Sequence, residues 1–504
     1  MRRFSSAILL TFLSSSFLLA GGLVTNSNLS AAWARTLTRQ ASREIDAVYY
    51  NPAGLRYLEN GFHFSLNNQF IFQSPRISSS YVFIEKEDRI FDGTERALLF
   101  PSFYAAYKMD RLVLSGGVNF ISGGRRTLFE EGMPLFEVPV ASLVPDMQVS
   151  LFSVDDQVAR LTGTFPGYSN VTGYDLTASF ECSKRYMGYQ AGATYAVNNL
   201  LSVALGARYV SVHNVLEASR TGVTIDVTEP EPATKPPGTY IRYIADEVEP
   251  LNASLGERLF AMADELDDTY ADRELKAVQK GSGITPIIGV NIHLAKKMDI
   301  GVKYEHHTRI ELENETTVDE MDMFPDGAQS RGDLPGMLSV GVRYHAPATG
   351  VLLRPINKLT VNFGYDFYFD KSAWYGFTDA GGEQVNNKTT VDHNTFDLAL
   401  SLEYMLMHNF GISAGYAYAN KGVNDLYQSD LNFALEANTI AGGFCFAPAR
   451  RLTINAGIVY VISNKNSVRR SYTLTFDEEP YAIPYTDTYE KRSVLFAVGL
   501  DVRL

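Results

Sequence analysis

The sequence predicts an all-β fold: a transmembrane antiparallel β-barrel of about 14 strands, with a small N-terminal hatch, or plug, inside the lumen. Three observations predict it. Segments in which apolar and polar residues alternate recur along most of the chain. Charged residues are missing from the apolar positions of these segments, and the connections between segments alternate between short and long. An Arg or Lys that faces the middle of the bilayer costs about 2 to 4 kcal/mol in such a barrel, which explains the missing charges.

The chain begins with the features of an export signal. Arg2 and Arg3 precede an apolar core at residues 7–19, and small residues follow from Ala20. This core is too short to cross a bilayer as a helix, which needs roughly 20 residues, so residues 1–20 are predicted to be a signal peptide. A buried N-terminal helix is the alternative. We find no other continuous apolar run long enough to span a membrane as a helix.

Residues 21–60 do not alternate, yet they are rich in large residues such as Trp33. A free tail would be poor in such residues, so this segment is predicted to be packed inside the barrel as a hatch. Within it, Asn51, Pro52 and Ala53 are predicted to latch the hatch, because proline fixes φ and the asparagine side chain can bond nearby backbone. A rigid structural cap is the alternative for this tripeptide.

The barrel is assigned to residues 61–504. Its first strand shows the pattern most clearly, with an apolar row interrupted only by Asn68: Phe62, Phe64, Leu66, Asn68, Phe70 and Phe72. Turns after most even-numbered strands have roughly two to four residues, as periplasmic turns do, while connections after odd-numbered strands are long. The Pro-rich turn at residues 345–358 is the exception. Both chain termini are therefore predicted to lie on the periplasmic side.

The longest loop, residues 217–282, contains the clearest helical pattern, an amphipathic stretch at residues 251–279. Four apolar residues recur there at helical spacing and are candidates for ligand contact: Leu255, Leu259, Met262 and Leu266. Packing of this stripe onto the barrel rim is an equally good interpretation.

The third strand is unusual because it contains glycine pairs. Gly116 and Gly117 are followed by Asn119 and then by Gly123 and Gly124. Glycine inside a strand often marks a bulge or bend, so Gly116, Gly117 and Asn119 are predicted to bend the wall here. The alternative is that these glycines only make room for the hatch.

Composition and motifs argue against several other functions. The net charge of -13 argues against nucleic acid as a partner, because binding to phosphates requires Lys and Arg. Cys182 and Cys445 lie far apart in sequence and are expected to be unpaired. His306 and His307 are neighbours on a strand, so they point to opposite faces and cannot chelate a metal as a pair. Neither a Ser-His-acid grouping nor a phosphate-binding glycine loop stands out, so we expect no enzyme activity, no cofactor and no metal.

With these features in place, the sequence resembles the FadL-type family of long-chain fatty-acid transporters (OMPP1/FadL/TodX) of Gram-negative outer membranes, whose members also take up aromatic hydrocarbons. The resemblance rests on Ala20-Gly21, on Ile45-Asp46-Ala47, and on Asn51-Pro52-Ala53 with the first strand directly after it. The chain departs from the family pattern by ending in Leu504 rather than an aromatic residue, and its loops are longer and more acidic.

The resemblance implies a fourteen-stranded barrel with a hatch that moves on ligand binding, and external loop helices that form a hydrophobic groove. It also implies an inward kink in the third strand that opens the wall sideways, for lateral release into the membrane. The implied partners are a hydrophobic small molecule, outer-membrane lipid, lipopolysaccharide and the barrel-assembly machinery, and a monomer is expected. The alternative is an outer-membrane receptor or adhesin barrel of other specificity, for example for haem compounds, without fatty-acid transport.

Overall fold

The computed structural model describes residues 30–85, 89–228, 232–294, 297–347, 358–377, 383–476 and 479–504. The predicted signal peptide, residues 1–20, the first part of the predicted hatch, residues 21–29, and most of the Pro-rich turn lie outside these residues.

Strands make up most of the described chain. In chain order they are β1 (Gly61–Ser79), β2 (Ile90–Asp92), β3 (Thr94–Met109), β4 (Leu112–Phe129), β5 (Val171–Ala196), β6 (Leu201–Val227), β7 (Ala233–Lys235), β8 (Arg273–Leu294), β9 (Met298–Glu305), β10 (Glu311–Asp319), β11 (Gln329–Arg331), β12 (Met337–Pro347), β13 (Lys358–Tyr368), β14 (Phe396–Met407), β15 (Phe410–Asn420), β16 (Ala437–Ala449), β17 (Leu452–Ser463), β18 (Asn466–Phe476) and β19 (Glu479–Arg503). The helices are α1 (Ala31–Thr36), α2 (Ala47–Tyr50), α3 (Pro134–Ala141), α4 (Leu143–Thr162), α5 (Pro237–Val248) and α6 (Ala253–Thr269).

Fourteen of these strands form a closed antiparallel ring. The order of pairing is β1, β3, β4, β5, β6, β8, β9, β12, β13, β14, β15, β16, β17 and β19, and β19 pairs back with β1. The remaining strands β2, β7, β10, β11 and β18 extend the wall at the end opposite Gly61 and Leu504. A closed ring leaves no sheet edge in contact with hydrocarbon. The structure confirms the predicted antiparallel barrel.

Side chains on the two faces of the wall differ as the alternation predicts. Outward-facing apolar residues are exposed, and on β6, for example, Leu205 is 66% exposed. Inward-facing residues are buried even when charged, as are Arg208 on β6 and both Lys303 and Glu305 on β9. This is the reverse of a soluble protein, which buries apolar residues and exposes its charges. The exposed apolar rows therefore match a wall that contacts lipid.

We expect Leu205→Arg to destabilise the barrel by about 2 to 4 kcal/mol, because Leu205 lies midway along the outward apolar row of β6 and an Arg there must face hydrocarbon. Leu161→Arg is the matched control, since Leu161 is also exposed but lies on α4, outside the wall. Denaturant unfolding of both variants from lipid vesicles measures the difference. Equal stabilities would contradict a lipid-facing row on β6.

The wall is taller than the sequence predicted. β6 and β8 both extend into the predicted loop at residues 217–282. The predicted helix at residues 251–279 is too long, because α6 ends at Thr269 and β8 then begins. In β8, Leu275 and Ala277 are buried and their backbone pairs with β6. Hydrogen bonding to a neighbouring strand therefore decides the conformation at the end of this segment.

Helices α3 to α6 cover the end of the barrel that carries the long loops. These helices, with the strand ends packed on them, form a loop cap, whose apolar core includes Tyr81, Phe136, Leu151, Tyr240 and Leu259. α3 and α4 lie in a segment that the sequence predicted as loop. Together, residues 134–162 are long and apolar enough to cross a membrane by length and composition alone, but 56% of their most apolar window is buried inside the protein.

Candidate functional site

Residues 30–60 contact strands on several sides of the wall. Arg35 in α1 donates to Glu403 on β14 at 2.6 Å, and Gln40 donates to Asp366 on β13 at 2.8 Å. α2 packs on the other side, against β3 and β4. Almost all side chains between α1 and α2 are buried, so the segment is enclosed by the rest of the protein.

A buried ion pair holds this segment in shape. The Asp46 carboxylate accepts two hydrogen bonds from the Arg39 guanidinium, both at 2.7 Å, and one each from the hydroxyls of Ser42 at 2.7 Å and Ser30 at 2.9 Å. Burial by itself raises the pKa of the Asp46 carboxyl, but Arg39 and these hydrogen bonds outweigh it and lower the pKa below its usual value. Asp46 is therefore ionised at neutral pH, and its charge is satisfied within the segment.

The three residues predicted as the hatch latch bond to one another and to the wall. Asn51 Nδ2 donates to the backbone oxygen of Val290 on β8 at 3.0 Å, and Asn51 Oδ1 accepts from the backbone N–H of Ala53 at 3.2 Å. The backbone oxygens of Pro52 and Ala53 accept from hydroxyl groups on β5 and β6, both at 2.7 Å. The tripeptide thus joins the segment to three neighbouring strands, and its movement on ligand binding stays a prediction.

A small cavity lies in the lumen beside Tyr49 of this segment. Its volume is about 30 Å³, and its lining includes Tyr49, Ile121, Arg208, Glu305 and Met337. This is room for about two water molecules, whereas a pocket for a drug-sized molecule measures roughly 300 to 1,000 Å³. Arg208 donates to both carboxylate oxygens of Glu305, at 2.7 and 2.8 Å, so its charge is paired. In this conformation the cavity holds water-sized molecules only.

The wall itself is irregular between β3 and β4. Their ladder pairs Ser102 with Asn119 and resumes only with Arg96 opposite Arg126. We call the intervening residues, 97–101 of β3 and 120–125 of β4, the wall interruption. On the β4 side, Gly123 and Gly124 have φ of 70° and 74°, a left-handed conformation that favours glycine. The register between β4 and β5 also shifts twice within this stretch.

A bulge forms the β3 side of the wall interruption. Gln69 and Ile71 of β1 pair with Phe100 and Ala97, so two residues of β3, Leu98 and Leu99, lie opposite one residue of β1. Both leucines are exposed, at 62% and 73%.

Asn68 of β1 holds the backbone of this bulge. Asn68 Oδ1 accepts from the backbone N–H of Phe100 at 2.9 Å, and Asn68 Nδ2 donates to the backbone oxygen of Leu98 at 3.2 Å. Asn68, the one polar residue in the outward row at residues 62–72 of β1, therefore replaces ladder hydrogen bonds that the bulge removes.

Apolar side chains close the wall interruption in this conformation. The ring of Phe100 is buried and stacks on Phe120, with ring centroids 4.8 Å apart. Gly124 lies directly against both rings, so a larger side chain there would displace them. Ile121 continues the apolar lining into the lumen. At the wall interruption, the wall is thus closed by side chains that can rotate. Neighbouring strand pairs are instead held together by backbone hydrogen bonds.

Residues 177–503, more than half of the chain, match the family described as outer membrane protein transport protein (OMPP1/FadL/TodX). The chain belongs to this family. The fold is similar to the crystal structure of a Pseudomonas aeruginosa FadL homologue, at 10% identity and a TM-score of 0.58, over 96% of this chain and 100% of that one. It is also similar to the Pseudomonas putida toluene transporter TodX, at 12% identity and a TM-score of 0.51, over 96% of this chain and 100% of that one.

Identities this low show the fold alone, and a search of curated protein sequences gave no match. Family membership makes the chain an outer-membrane transporter of hydrophobic compounds. The family is one of transport proteins and not of enzymes. A FadL-family protein needs a path for an apolar molecule, and the wall interruption is an irregular and apolar part of this wall.

The bend predicted at Gly116, Gly117 and Asn119 stays an untested prediction, and the structure places the irregular pairing of β4 after these residues. All three residues pair regularly with both β3 and β5. Gly117 instead makes room for Tyr104, whose ring lies 2.7 Å from where a Cβ atom would be. The irregular backbone follows directly after these residues, at the second glycine pair. The two glycine pairs look alike in sequence. They differ in the folded barrel, where β3 pairs with Gly116 and Gly117 but not with Gly123 and Gly124.

The four residues predicted to contact ligand lie in the core of the loop cap. Leu255, Leu259 and Leu266 are buried, and Met262 is partly buried against the same core. This geometry supports the packing interpretation of the stripe, and ligand contact by these residues stays an untested prediction.

An open apolar groove lies elsewhere in the loop cap, between α4 and the start of β5. Its volume is about 350 Å³, and it is lined by Gln148, Val149, Phe152, Ser169, Asn170, Val171 and Thr172. Phe152 is 59% exposed, and its ring centroid is 6.0 Å from that of Phe165, which is exposed as well. Sequence reasoning missed this groove because the prolines of residues 134–145 concealed the helices that form it.

Proposed function

We propose that this FadL-family protein takes up hydrophobic small molecules such as long-chain fatty acids and releases them sideways into the outer membrane. The observation that carries the proposal is the wall interruption. It is a stretch without a β3–β4 ladder, lined by Phe100, Phe120 and Ile121, between the lumen and the lipid-facing surface. Rotation of these side chains opens the wall without breaking a backbone hydrogen bond.

An exit through the wall is compatible with an apolar cargo molecule and with a lumen that is blocked along its axis. Residues 30–60 act as a plug in this proposal, because they are bonded to the wall through Arg35, Gln40 and Asn51 and block the axial route. An apolar molecule that enters lipid instead of water gains about 25 cal/mol for each Å² of apolar surface removed from water. Sideways release therefore leaves the plug in place and keeps the cargo out of water.

Capture begins at the loop cap in this proposal. The groove between α4 and β5 offers exposed aromatic surface at Phe152 and Phe165, which matches an apolar molecule arriving from outside. The short turns and both chain termini then lie in the periplasm, and residues 1–20 are a signal peptide removed on export. The protein contacts outer-membrane lipid and lipopolysaccharide, and the barrel-assembly machinery inserts it.

The closed ring supports a monomer. Each of the fourteen wall strands has two strand neighbours, so the wall offers no free edge to a second copy. We infer that the protein carries out transport without catalysis.

Uptake by Gram-negative cells that lack their own FadL-family transporters tests the proposed function. Cells that express the chain are expected to accumulate a fluorescent long-chain fatty acid faster than cells that express Gly123→Val/Gly124→Val. Valine is strained at positive φ, and at residue 124 it would displace Phe100 and Phe120. Equal surface levels of the two proteins, measured by heat-modified gel mobility, are the control. Uptake no faster than in empty cells, with haem bound by the purified protein, would support a receptor instead.

A further inference from the structure

Asn119 lies at the edge of the wall interruption and has unused hydrogen-bonding groups. Its side chain is 1% exposed and faces inward on β4. It lies opposite Ser102 of β3, in the last regular pair before the ladder stops, and opposite Gly188 of β5. Among the residues that the structure describes, neither Asn119 Oδ1 nor Asn119 Nδ2 has a hydrogen-bond partner.

The other buried asparagines inside the barrel that the structure describes each use at least one group of the amide in a hydrogen bond. Asn67 Oδ1 accepts from the backbone N–H of Ala31 at 3.0 Å, and its Nδ2 donates to Ser65 at 3.0 Å. Asn214 Nδ2 donates to Gln279 at 3.3 Å. Since buried polar groups are paired in the great majority of cases, an amide with both groups free points to a partner that comes from outside the chain.

The surroundings of Asn119 favour a neutral partner. Ile121, the next inward-facing residue along β4, is buried and apolar. Arg208 of β6 packs against Gly188 of β5, but its guanidinium is already paired, since Arg208 Nη1 donates to Glu305 Oε2 at 2.7 Å. A carboxylate placed here would lose its water and meet an arginine whose charge is neutralised, which is unfavourable. A neutral hydroxyl loses far less on burial, as does the carboxyl group of a fatty acid once it is protonated.

We propose that Asn119 binds the single neutral polar group of an otherwise apolar cargo molecule, an alcohol or phenol hydroxyl, as the molecule reaches the wall interruption. A hydroxyl both donates and accepts, which matches the Oδ1 acceptor and the Nδ2 donor of one amide. The apolar remainder of the molecule then lies along Ile121 and Phe100, toward the lipid. This inference rests on the proposed function, because it names the chemical class of cargo on the same path.

Binding of 2-naphthol and of naphthalene to the purified full chain in detergent micelles tests the inference, because the two probes differ by one hydroxyl. The wild-type protein is expected to bind 2-naphthol more tightly, by on the order of fivefold to tenfold. Asn119→Leu keeps the number and branching of the side-chain heavy atoms and removes the amide, so it is expected to weaken binding of 2-naphthol alone and abolish the preference. Equal wild-type affinities, or equal weakening for both probes in the variant, would overturn the inference.

Asn214→Leu is the matched control, because it removes a buried amide that is already paired. It is expected to lower the thermal midpoint and keep the preference for 2-naphthol. Asn119→Leu is expected to keep or raise the midpoint, since an apolar side chain replaces an unpaired amide. A midpoint lowered as much as in the control would show that the Asn119 amide is paired in solution and would also overturn the inference.

A wild-type protein that binds neither probe would contradict the proposed function as well, whereas equal binding of both leaves that function intact.

Discussion

Asn68→Leu is expected to reduce uptake to the background level. The substitution removes the side chain that bonds the bulge backbone, and it leaves the N–H of Phe100 and the oxygen of Leu98 without those partners. Each unsatisfied backbone group costs several kcal/mol in hydrocarbon, so β3 is expected to shift into regular pairing and close the wall interruption. Uptake of a fluorescent long-chain fatty acid by cells that express the variant measures the loss.

Asn438→Leu provides the comparison for this prediction. Asn438 lies on β16 and its side chain accepts from the Tyr416 hydroxyl at 2.6 Å, a contact between two side chains that supports no bulge. This variant is expected to take up the probe at nearly the wild-type rate. Heat-modified gel mobility checks that both variants form barrels. A folded Asn68→Leu barrel with wild-type uptake would show that the bulge has no part in transport.

Arg39→Met is expected to release residues 30–50 from the lumen. The change leaves Asp46 buried without its cation, and breaking one partner of a buried ion pair costs about 3 to 5 kcal/mol. The wall has its own closed ladder, so the loss is expected in the segment and not in the barrel. Faster amide hydrogen exchange confined to residues 30–50, and a higher ion conductance in planar bilayers, are the readouts.

Two further variants make the prediction for Arg39 specific. Arg76→Met removes the cation of an exposed ion pair with Asp92. Such a pair contributes about 0 to 1 kcal/mol to the free energy of unfolding, so hydrogen exchange in residues 30–50 is expected to stay unchanged. Adding Asp46→Asn to Arg39→Met removes the unpaired charge and is expected to restore part of the protection. Wild-type exchange and conductance in Arg39→Met alone would mean that this ion pair does not hold the segment.

The same pair sets the pH range over which residues 30–50 stay ordered. The pKa of Asp46 is lower in the folded protein than in the unfolded chain, where it is about 3.9. Its contribution to stability is therefore complete above the unfolded pKa and is lost as the pH falls through the lower folded pKa. Conductance is expected to stay constant from neutral pH to about pH 5 and to rise only below about pH 4. An increase that begins near neutral pH would point to a different titrating group.

The sequence predicted the wall well because lipid imposes a simple rule on it. Outward positions such as Leu205 must be apolar, so alternation alone identifies the strands that cross the membrane. Above the membrane that rule no longer applies, and β6 and β8 continue there with polar residues on their outer face. For this reason the height of the wall and the end of α6 could not be read from alternation.

The helices of the loop cap were concealed by prolines. Pro134 and Pro145 lie in the first turns of α3 and α4, where a missing backbone N–H costs little, but in sequence they look like helix breakers. The sequence indicated only one part of the wall interruption. Asn68 stood out as a polar residue in an apolar row, yet its role depends on Leu98 and Phe100, which are near it only in the folded barrel.

Photo-crosslinking tests the exit route most directly. A long-chain fatty acid that carries a diazirine, activated during uptake by outer membranes containing the wild-type protein, is expected to label Phe100 and Ile121, which face inward beside the wall interruption. The same probe is expected to leave these residues unlabelled in Asn68→Leu. Labelling of residues 56–60, at the end of the barrel beside Leu504, with none at Phe100 or Ile121, would mean that the molecule passes along the axis and would contradict release through the wall.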